Sequence, residues 1–308
     1  VDSEYGPMPD WDVSNVADMA EAFIDKLDFD ADISSWDVSN VTNMEFMFLR
    51  TSFNQDIGDW DVSNVTNMNS LLKQTVFNQD LGDWDVSSVT NMIGMFESIL
   101  SFNQDLGNWD VSNVTSMESM FGRNVVGISS FNQDIGDWDV SNVTNMRQMF
   151  YSATSFNQDL GNWDVSNVTD MSRLFQKTSF NQDIGDWDVS NVTNMQAMFN
   201  STTSFNQDIG SWDVSNVTDM IDMFDFSGLN TCNYDNTLIG WSTQDLTPNV
   251  TLGAIGIRYC NSETERQSII DNFGWTIDDA GLNCTDECIV CAINDSNIQA
   301  AVDLWISD

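Results

Sequence analysis

The tetrapeptide Trp-Asp-Val-Ser recurs nine times in this chain, and its spacing is the strongest constraint on the fold. The copies begin at Trp11, Trp36, Trp60, Trp84, Trp109, Trp138, Trp163, Trp187 and Trp212. Successive copies are 24 or 25 residues apart, except for one interval of 29 residues after Trp109. A period of about 25 residues is typical of leucine-rich-repeat-like solenoids, whereas propeller blades and two-helix repeats need longer units. The spacing therefore predicts one array of stacked repeats.

Each tetrapeptide has the alternation of a short strand. In the third copy, apolar Trp60 and Val62 alternate with Asp59 and Asp61, which predicts apolar side chains inward and carboxylates outward. The preceding run, residues 53–58 (Phe-Asn-Gln-Asp-Ile-Gly), is rich in side-chain acceptors and predicts a turn. The asparagine of that turn recurs in the copies, and we interpret its amide as a structural group that bonds the stacked backbone.

The segment after each tetrapeptide has helical spacing. Val65, Met68 and Leu72 lie at i, i+3 and i+7, behind Ser63 as a candidate N-cap, which predicts a short helical segment. Methionine recurs at Met19, Met44, Met68, Met92, Met117, Met146, Met171, Met195 and Met220. One repeat cannot bury its apolar face alone, so these columns indicate the packed spine of a stack.

These patterns predict an α/β solenoid, a leucine-rich-repeat-like right-handed coil of nine repeats of roughly 25 residues. Each repeat would contain a short strand and a short helix or turn. Residues 1–228 are predicted to form the repeat solenoid. Residues 229–285, where the pattern fails, are predicted to form a disulfide-bearing C-terminal cap, with a decayed copy of the repeat turn at Asn233 to Trp241 and a helix from Thr264 to Phe273. The tail, residues 286–308, carries an apolar stripe, and we interpret it as the N-terminal cap helix of a following module.

The charge of the chain restricts its partners. The net charge is −39, from 48 acidic and 9 basic residues. Such a field repels nucleic acid and anionic membranes, and no apolar run is long enough for membrane insertion. The basic residues of the repeats lie outside the tetrapeptides, which predicts one acidic side and one mixed side; they are Lys26, Arg50, Lys73, Arg123, Arg147, Arg173 and Lys177.

Catalysis is not expected from this composition. The chain has no histidine, which excludes catalytic triads and metal sites that depend on it. A pair of carboxylates could in principle hydrolyse glycosides, but here the acids are copied from repeat to repeat, whereas catalysis needs one uniquely tuned place. We therefore predict no catalytic residues and no enzyme activity.

Stacking would place like charges next to each other. At a spacing of about 5 Å, each neighbouring pair of carboxylates costs roughly 0.8 kcal/mol even in bulk water. Three explanations are open: each Asp accepts backbone N–H bonds in its own turn, or the protein is adapted to high salt, or calcium is bound. The candidate calcium ligands are Asp59, Asp61, Asp83, Asp85, Asp137, Asp139, Asp186 and Asp188.

One long run recurs with little change, namely Phe-Asn-Gln-Asp-Ile-Gly-Asp-Trp-Asp-Val-Ser-Asn-Val-Thr-Asn-Met followed by Met-Phe. It closely resembles the BspA-like leucine-rich repeat family of bacterial surface proteins, over residues 11 to about 224. The segment from Asn233 to Cys284 also looks like the ending of those proteins. The departures are residues 29–34 and Leu71-Leu72. The resemblance implies a secreted or surface-anchored bacterial protein, many relatives being adhesins.

An exported location makes disulfides the natural interpretation of the five cysteines. Cys260 with Cys284 is the favoured pair. Cys232, Cys288 and Cys291 would then share one further bridge. Zinc is disfavoured because it requires four ligands.

Two functions remain open. The favoured one is a secreted or cell-surface adhesion module that presents an acidic repeat face to a glycan or protein ligand. The alternative is a stalk, rigidified by calcium or not, that spaces other modules of the same polypeptide from the cell. Uniform repeats favour the stalk, whereas the longer fifth repeat, around residues 122–130, slightly favours a binding site. No ligand-binding residues are assigned from the sequence.

Overall fold

The computed structural model describes residues 7–123 and 129–284. A 3-10 helix spans Met8–Asp10, helix α1 Thr231–Ser242, strand β1 Thr251–Ala254, helix α2 Glu263–Phe273 and strand β2 Thr276–Asp279. Between residues 11 and 230, the described part of the chain pairs only through isolated parallel bridges. The bridges link Asp18, Asn43, Asn67, Asn91, Ser116, Asn145, Asp170, Asn194 and Asp219 in that order. Each repeat is thus joined to the next in one parallel series.

The backbone ladder lies beyond the tetrapeptide, and the predicted strand position is wrong. Asn67 carries the bridge of the third repeat, whereas residues 59–62 form none within the described chain. Trp60 and Val62 are nevertheless buried and their Asp neighbours exposed, so the alternation correctly indicated side-chain direction. The alternation did not reveal which backbone groups pair.

The Met-Phe segment consists of tight turns, so of the predicted helix or turn it is the turn that forms. In the second repeat, the N–H groups of Met44, Phe46 and Phe48 donate to carbonyls of the third repeat at 3.0, 2.8 and 3.0 Å. The N–H of Met47 donates to the carbonyl of Met44, at 3.2 Å. An α-helix would satisfy these groups internally. Here alternate groups are satisfied by the neighbouring repeat, which makes the segment dependent on stacking.

Left-handed backbone allows this alternation. Phe46 has φ 56° and Arg50 has φ 59°, and the same two positions of the next repeat, Ser70 and Gln74, have φ 53° and 57°. A non-glycine residue in this region costs roughly 1–2 kcal/mol. The hydrogen bonds between repeats offset that cost at every junction.

Rows of rings form the core. The Phe121 and Phe150 ring centroids are 5.8 Å apart with an interplanar angle of 6°, and the Trp109 and Trp138 centroids are 6.4 Å apart at 4°. Met146, like the rest of its column from Met44 to Met220, is fully buried. Burial of a side chain of this size contributes about 1.5–3 kcal/mol. The predicted core columns are therefore confirmed.

From Trp60 to Trp212, each tetrapeptide indole also bonds the repeat before it. The Nε1–H of Trp138 donates to the Leu106 carbonyl at 3.0 Å, and that of Trp163 donates to the Ile135 carbonyl at 3.0 Å. The same bond recurs from Trp60 to Trp212. A buried polar atom needs such a partner, and the stack supplies it at a constant position.

The asparagine column is structural, as predicted. The Asn54 Oδ1 atom accepts from the backbone N–H of Asn78 at 2.8 Å and from the Gln79 amide at 3.2 Å. Equivalent bonds follow along the repeats, for example from Asn181 N–H to Asn157 Oδ1 at 2.8 Å. Side-chain amides thus replace a backbone ladder on this edge.

The last repeat is covered by residues 229–284. Leu252 of β1 forms a bridge with Met220, and β1 pairs in parallel with β2, Thr251 opposite Thr276. The Trp241 ring of α1 lies 6.3 Å from Phe224. These contacts bury the apolar end of the stack.

Two sequence expectations for this region had different outcomes. The helix predicted from Thr264 to Phe273 is confirmed as α2. The segment from Asn233 to Trp241 was interpreted as a decayed copy of the repeat turn, but it lies in α1. Its Asn233 amide still continues the asparagine row, because Nδ2 donates to the Asn206 carbonyl at 2.8 Å.

Candidate functional surface

The tetrapeptide aspartates form an exposed row whose carboxylates are held by their own turns. Asp61 Oδ1 accepts from the Ser63 N–H at 3.1 Å and from the Ser63 hydroxyl at 2.6 Å. The backbone bond recurs at Asp12, Asp37, Asp85, Asp110, Asp139, Asp164, Asp188 and Asp213. The first of the three explanations for the stacked charges, an Asp carboxylate that accepts a backbone N–H bond in its own turn, is therefore present in the structure.

These bonds stabilise the charged form. The Ser87 hydroxyl and then the Ser87 N–H lower the pKa of the Asp85 carboxyl, and burial and the neighbouring Asp110 oppose this weakly. The pKa values of the carboxyls of Asp12, Asp37, Asp110 and Asp188 are lowered by the same two kinds of bond. The charged form of these five carboxylates is thus favoured by their own turns.

A second row of aspartates precedes the glycines. Asp56 Oδ1 accepts from the Gly58 N–H at 3.0 Å, and the bond recurs down to Asp208 and Gly210. Glycine is required here by close packing: a Cβ on Gly136 would lie 2.7 Å from the Asp159 carbonyl oxygen. At Gly136 the next repeat thus passes too close for a side chain, whereas Ser34 occupies the equivalent position of the first full turn.

The candidate calcium ligands divide between two rows. Asp61, Asp85, Asp139 and Asp188 accept from their own serines, and Asp59, Asp83, Asp137 and Asp186 are exposed one residue before each tryptophan. Within residues 7–123 and 129–284, no three acidic or cysteine side chains converge on a position for one metal ion. Asp186 does line a shallow cavity of about 320 Å³ with Asp183 and Asp208.

Two further exposed polar rows accompany the aspartates, one of threonines and one of asparagines. Neither was predicted from the sequence to form a surface. The exposed hydroxyl of Thr66 donates to the Thr42 carbonyl at 3.1 Å, and Asn64 Nδ2 donates to the Ser39 carbonyl at 2.8 Å. Later repeats repeat both bonds, as at Thr144 and Asn142. The signal in the sequence was the recurring Asn-Val-Thr triplet.

The orientation of these hydrogen bonds determines which polar atoms remain available to a ligand. The hydroxyls and one N–H of each amide turn toward the backbone of the preceding repeat. The Asn Oδ1 atoms, the second carboxylate oxygens and the hydroxyl lone pairs remain for solvent. We call the Asp, Asn and Thr rows together the acceptor face.

Basic residues of the Met-Phe turns pair with acids of adjacent repeats. Lys73 Nζ lies 2.6 Å from Glu97 Oε2, and Arg147 lies 3.3 Å from Glu118. Both pairs join adjacent repeats.

Cys260 and Cys284 form a disulfide, the pair favoured from the sequence. Cys232 is also disulfide-bonded. The expectations for Cys288 and Cys291, and for the tail at 286–308, lie outside the described residues, as does most of the longer loop of the fifth repeat. No described helix is long and apolar enough to cross a membrane.

Comparison with known proteins gives one match. A family model described as "Mycoplasma protein of unknown function, DUF285" matches residues 3–92, 51–126, 71–179 and 159–249 in overlapping copies. No curated protein and no solved structure matches the chain.

Proposed function

Because this chain belongs to the DUF285 repeat family, whose function is unknown, we propose a function from its own surface: a non-enzymatic binding module that presents the acceptor face to a ligand. The ligand class is a glycan or a protein surface rich in hydrogen-bond donors. Glycan hydroxyls and the ammonium and guanidinium groups of basic proteins have that chemistry.

One observation supports the proposal above the others. The Thr hydroxyl proton and one N–H of each Asn amide are used inside the stack, as with Thr66 and Asn64, while acceptors recur outward at the period of the repeats. A ligand with regularly spaced donors gains a contact at each repeat it covers. Weak single contacts then add up along the stack.

We also propose the finer assignment of fold and location. The parallel bridges and ring rows are compatible with a leucine-rich-repeat-like right-handed solenoid of the BspA-like type. The disulfide between Cys260 and Cys284 favours an extracellular or cell-surface location in a bacterium, because disulfides persist in oxidising compartments. Enzyme activity remains unexpected, since acids copied in each repeat provide no unique site.

Glycan and protein arrays probed with the full chain test the binding function. The variant Asp110→Asn, Asp139→Asn, Asp164→Asn removes three charges from the acceptor face and should weaken any hit at least tenfold. The matched control Asp28→Asn, Asp245→Asn, Asp271→Asn makes the same charge change elsewhere and should leave the hit unchanged. Equal loss in both variants would show only long-range electrostatics and contradict a specific face.

A structural stalk is the second candidate, and the uniformity of the rows favours it. A stalk requires rigidity and no ligand. The absence of any bound glycan or protein on the arrays at high protein concentration would support the stalk and contradict the binding module.

A further inference from the structure

The Met-Phe turns of the fifth, sixth and seventh repeats carry a charge that is unusual for this chain. Residues 118–123, 147–152 and 172–177 contain four basic residues and one acid, whereas the whole chain has 9 basic and 48 acidic residues. The acid is Glu118, and it is paired with Arg147. The basic residues that remain are Arg123, Arg173 and Lys177. None of these three forms an ion pair with a described residue, so a local excess of positive charge lies on a strongly acidic protein.

Tyr151 brings residues of these three repeats together. Its carbonyl accepts from the Arg123 N–H of the preceding repeat at 2.8 Å, and the centroid of its ring lies 5.7 Å from the Lys177 Nζ atom of the following repeat. The Tyr151 N–H donates to the Gln148 carbonyl at 2.9 Å, which closes the turn of the sixth repeat. Arg173 follows Gln148 in the same column of the next repeat. We call these five residues the donor patch.

The donor patch offers hydrogen-bond donors, which is the reverse of the acceptor face. The Gln148 Oε1 atom accepts from the Ser119 hydroxyl at 3.4 Å, whereas the Gln148 amide nitrogen donates to no described residue. The side-chain nitrogens of Arg173 and Lys177 likewise donate to no described residue. The Nε and Nη1 atoms of Arg123 are buried and have no hydrogen-bond partner among the described residues. A guanidinium that loses water without gaining a partner is stabilised by a nearby anion.

Charge and spacing indicate the class of ligand. Arg123 and Lys177 stand in one column, two repeats apart, which is about 10 Å at 4.7–4.9 Å for each parallel step. The Gln148 amide and the Tyr151 ring belong to the repeat between them. A glycan in which acidic sugars alternate with neutral ones has the matching arrangement, since its carboxylates are separated by a sugar that carries only uncharged oxygens. Double-stranded nucleic acid carries one charge per about 1.7 Å of helix axis, and the net charge of −39 repels such dense charge.

We propose that the donor patch binds a glycan in which carboxylated sugars alternate with neutral sugars. Arg173 and Lys177 of the seventh repeat hold one carboxylate, and Arg123 of the fifth repeat holds the next. The Gln148 amide and the Tyr151 ring contact the neutral sugar between them. The guanidinium fork of Arg173 makes two parallel bonds to a carboxylate, which a lysine ammonium cannot reproduce. This site is separate from the acceptor face, whose ligand supplies donors.

A fluorescent hyaluronan octasaccharide, in which glucuronate alternates with N-acetylglucosamine, tests the proposal by polarisation against the full chain. We expect saturable binding, and a loss of about tenfold or more when the carboxylates of the octasaccharide are reduced to alcohols. The protein variant Arg173→Gln, Lys177→Gln should also bind about tenfold more weakly. The matched control is Lys26→Gln, Arg258→Gln, which removes two exposed cations that form no ion pair with a described residue. It should change binding by less than about twofold, since screening confines the effect of a distant surface charge.

A conservative variant separates carboxylate recognition from simple charge attraction. Arg173→Lys keeps the charge but loses the fork, so it should weaken binding by about threefold or more. Melting curves should show that all variants fold. Absent binding, equal binding of the reduced octasaccharide, or equal loss in the two double variants would overturn the proposal. Tighter binding of a peptide of four glutamates, which has the same charge as the octasaccharide, would overturn it too, because the patch would then prefer an acidic peptide.

Discussion

The hydroxyl of Ser262 donates a 2.6 Å hydrogen bond to the carboxylate of Asp235, and both residues are buried. Asp235 lies on α1 and Ser262 is the N-cap of α2. The same carboxylate accepts from the N–H groups of Cys260 and Asn261 at 3.0 and 2.9 Å. One carboxylate therefore accepts from the backbone N–H groups that lead into α2. It also joins the two helices that cover the stack.

Asp235→Asn should destabilise this end of the protein by about 3 kcal/mol. The amide retains one acceptor oxygen but places an N–H₂ group among donors, and an unsatisfied buried polar group costs about 1–3 kcal/mol. Denaturant unfolding followed by Trp fluorescence measures the change. Asp271→Asn, at an exposed position, should shift stability by less than about 0.5 kcal/mol; a similar loss in both variants would contradict the role of Asp235.

Trp138→Phe should cost about 1–3 kcal/mol. It removes the Nε1–H bond to Leu106 and leaves space in the ring row, while the Leu106 carbonyl keeps its bond from the Trp109 N–H at 3.1 Å. Thermal unfolding measures this loss of stability, with Thr144→Val as the control variant. The threonine hydroxyl is exposed and its acceptor keeps a backbone bond, so the control should lose less than about 0.5 kcal/mol.

Ser87→Ala should raise the pKa of the Asp85 carboxyl, since the Ser87 hydroxyl is the main cause of its lowering. A carboxyl with a lowered folded pKa stabilises the protein above its unfolded pKa, and this contribution is lost as the pH falls through the folded pKa. The variant should thus lose a few tenths of a kcal/mol at neutral pH and nothing in strong acid. NMR titration of the Asp85 side chain, with Ser88→Ala as control, checks the direction.

Asp225→Asn should stabilise the protein at neutral pH. Burial raises the pKa of the Asp225 carboxyl, and Asp222 and Asp278 add to this, while the Ile255 N–H opposes it with a 2.9 Å bond. A group with a raised folded pKa favours folding at low pH and loses that contribution as the pH rises through the folded pKa. The amide keeps the acceptor without the charge. Tm should rise at pH 7 and match the parent below about pH 4; a lower Tm at pH 7 would refute this.

Calcium should stabilise the protein no more than magnesium does at equal ionic strength. Asp61 and Asp85 already accept two bonds each from their own turns, which leaves charge screening as the main effect of a divalent ion. Tm in excess calcium, excess magnesium and chelator decides the point. A rise of several degrees that only calcium produces would instead establish a calcium site among the eight candidate aspartates.

The sequence was sufficient to predict the repeats, their buried columns and the structural asparagines. Column positions such as Met146 follow from period alone, because identical residues at a constant spacing must occupy equivalent places in a stack. The disulfide between Cys260 and Cys284 was also predicted from the sequence. These predictions depend on side-chain character, which the sequence displays directly.

Backbone conformation could not be predicted in the same way. Val65, Met68 and Leu72 have helical spacing, yet the chain adopts φ 53° at Ser70 and 57° at Gln74. Neither residue is a glycine, although Gly94 with φ 58° occupies the Ser70 column in the fourth repeat, and the stabilising bonds come from the next repeat.

Scalar couplings across hydrogen bonds, measured by NMR on labelled protein, test the stacking most directly. We predict a correlation from the Gln148 amide nitrogen to the Ser172 carbonyl carbon of the following repeat, and one from Thr144 to Thr115 of the preceding repeat. A correlation from Gln148 to the carbonyl of Thr144, four residues earlier, would reveal a helix. That result would contradict a stack held together by alternate backbone bonds.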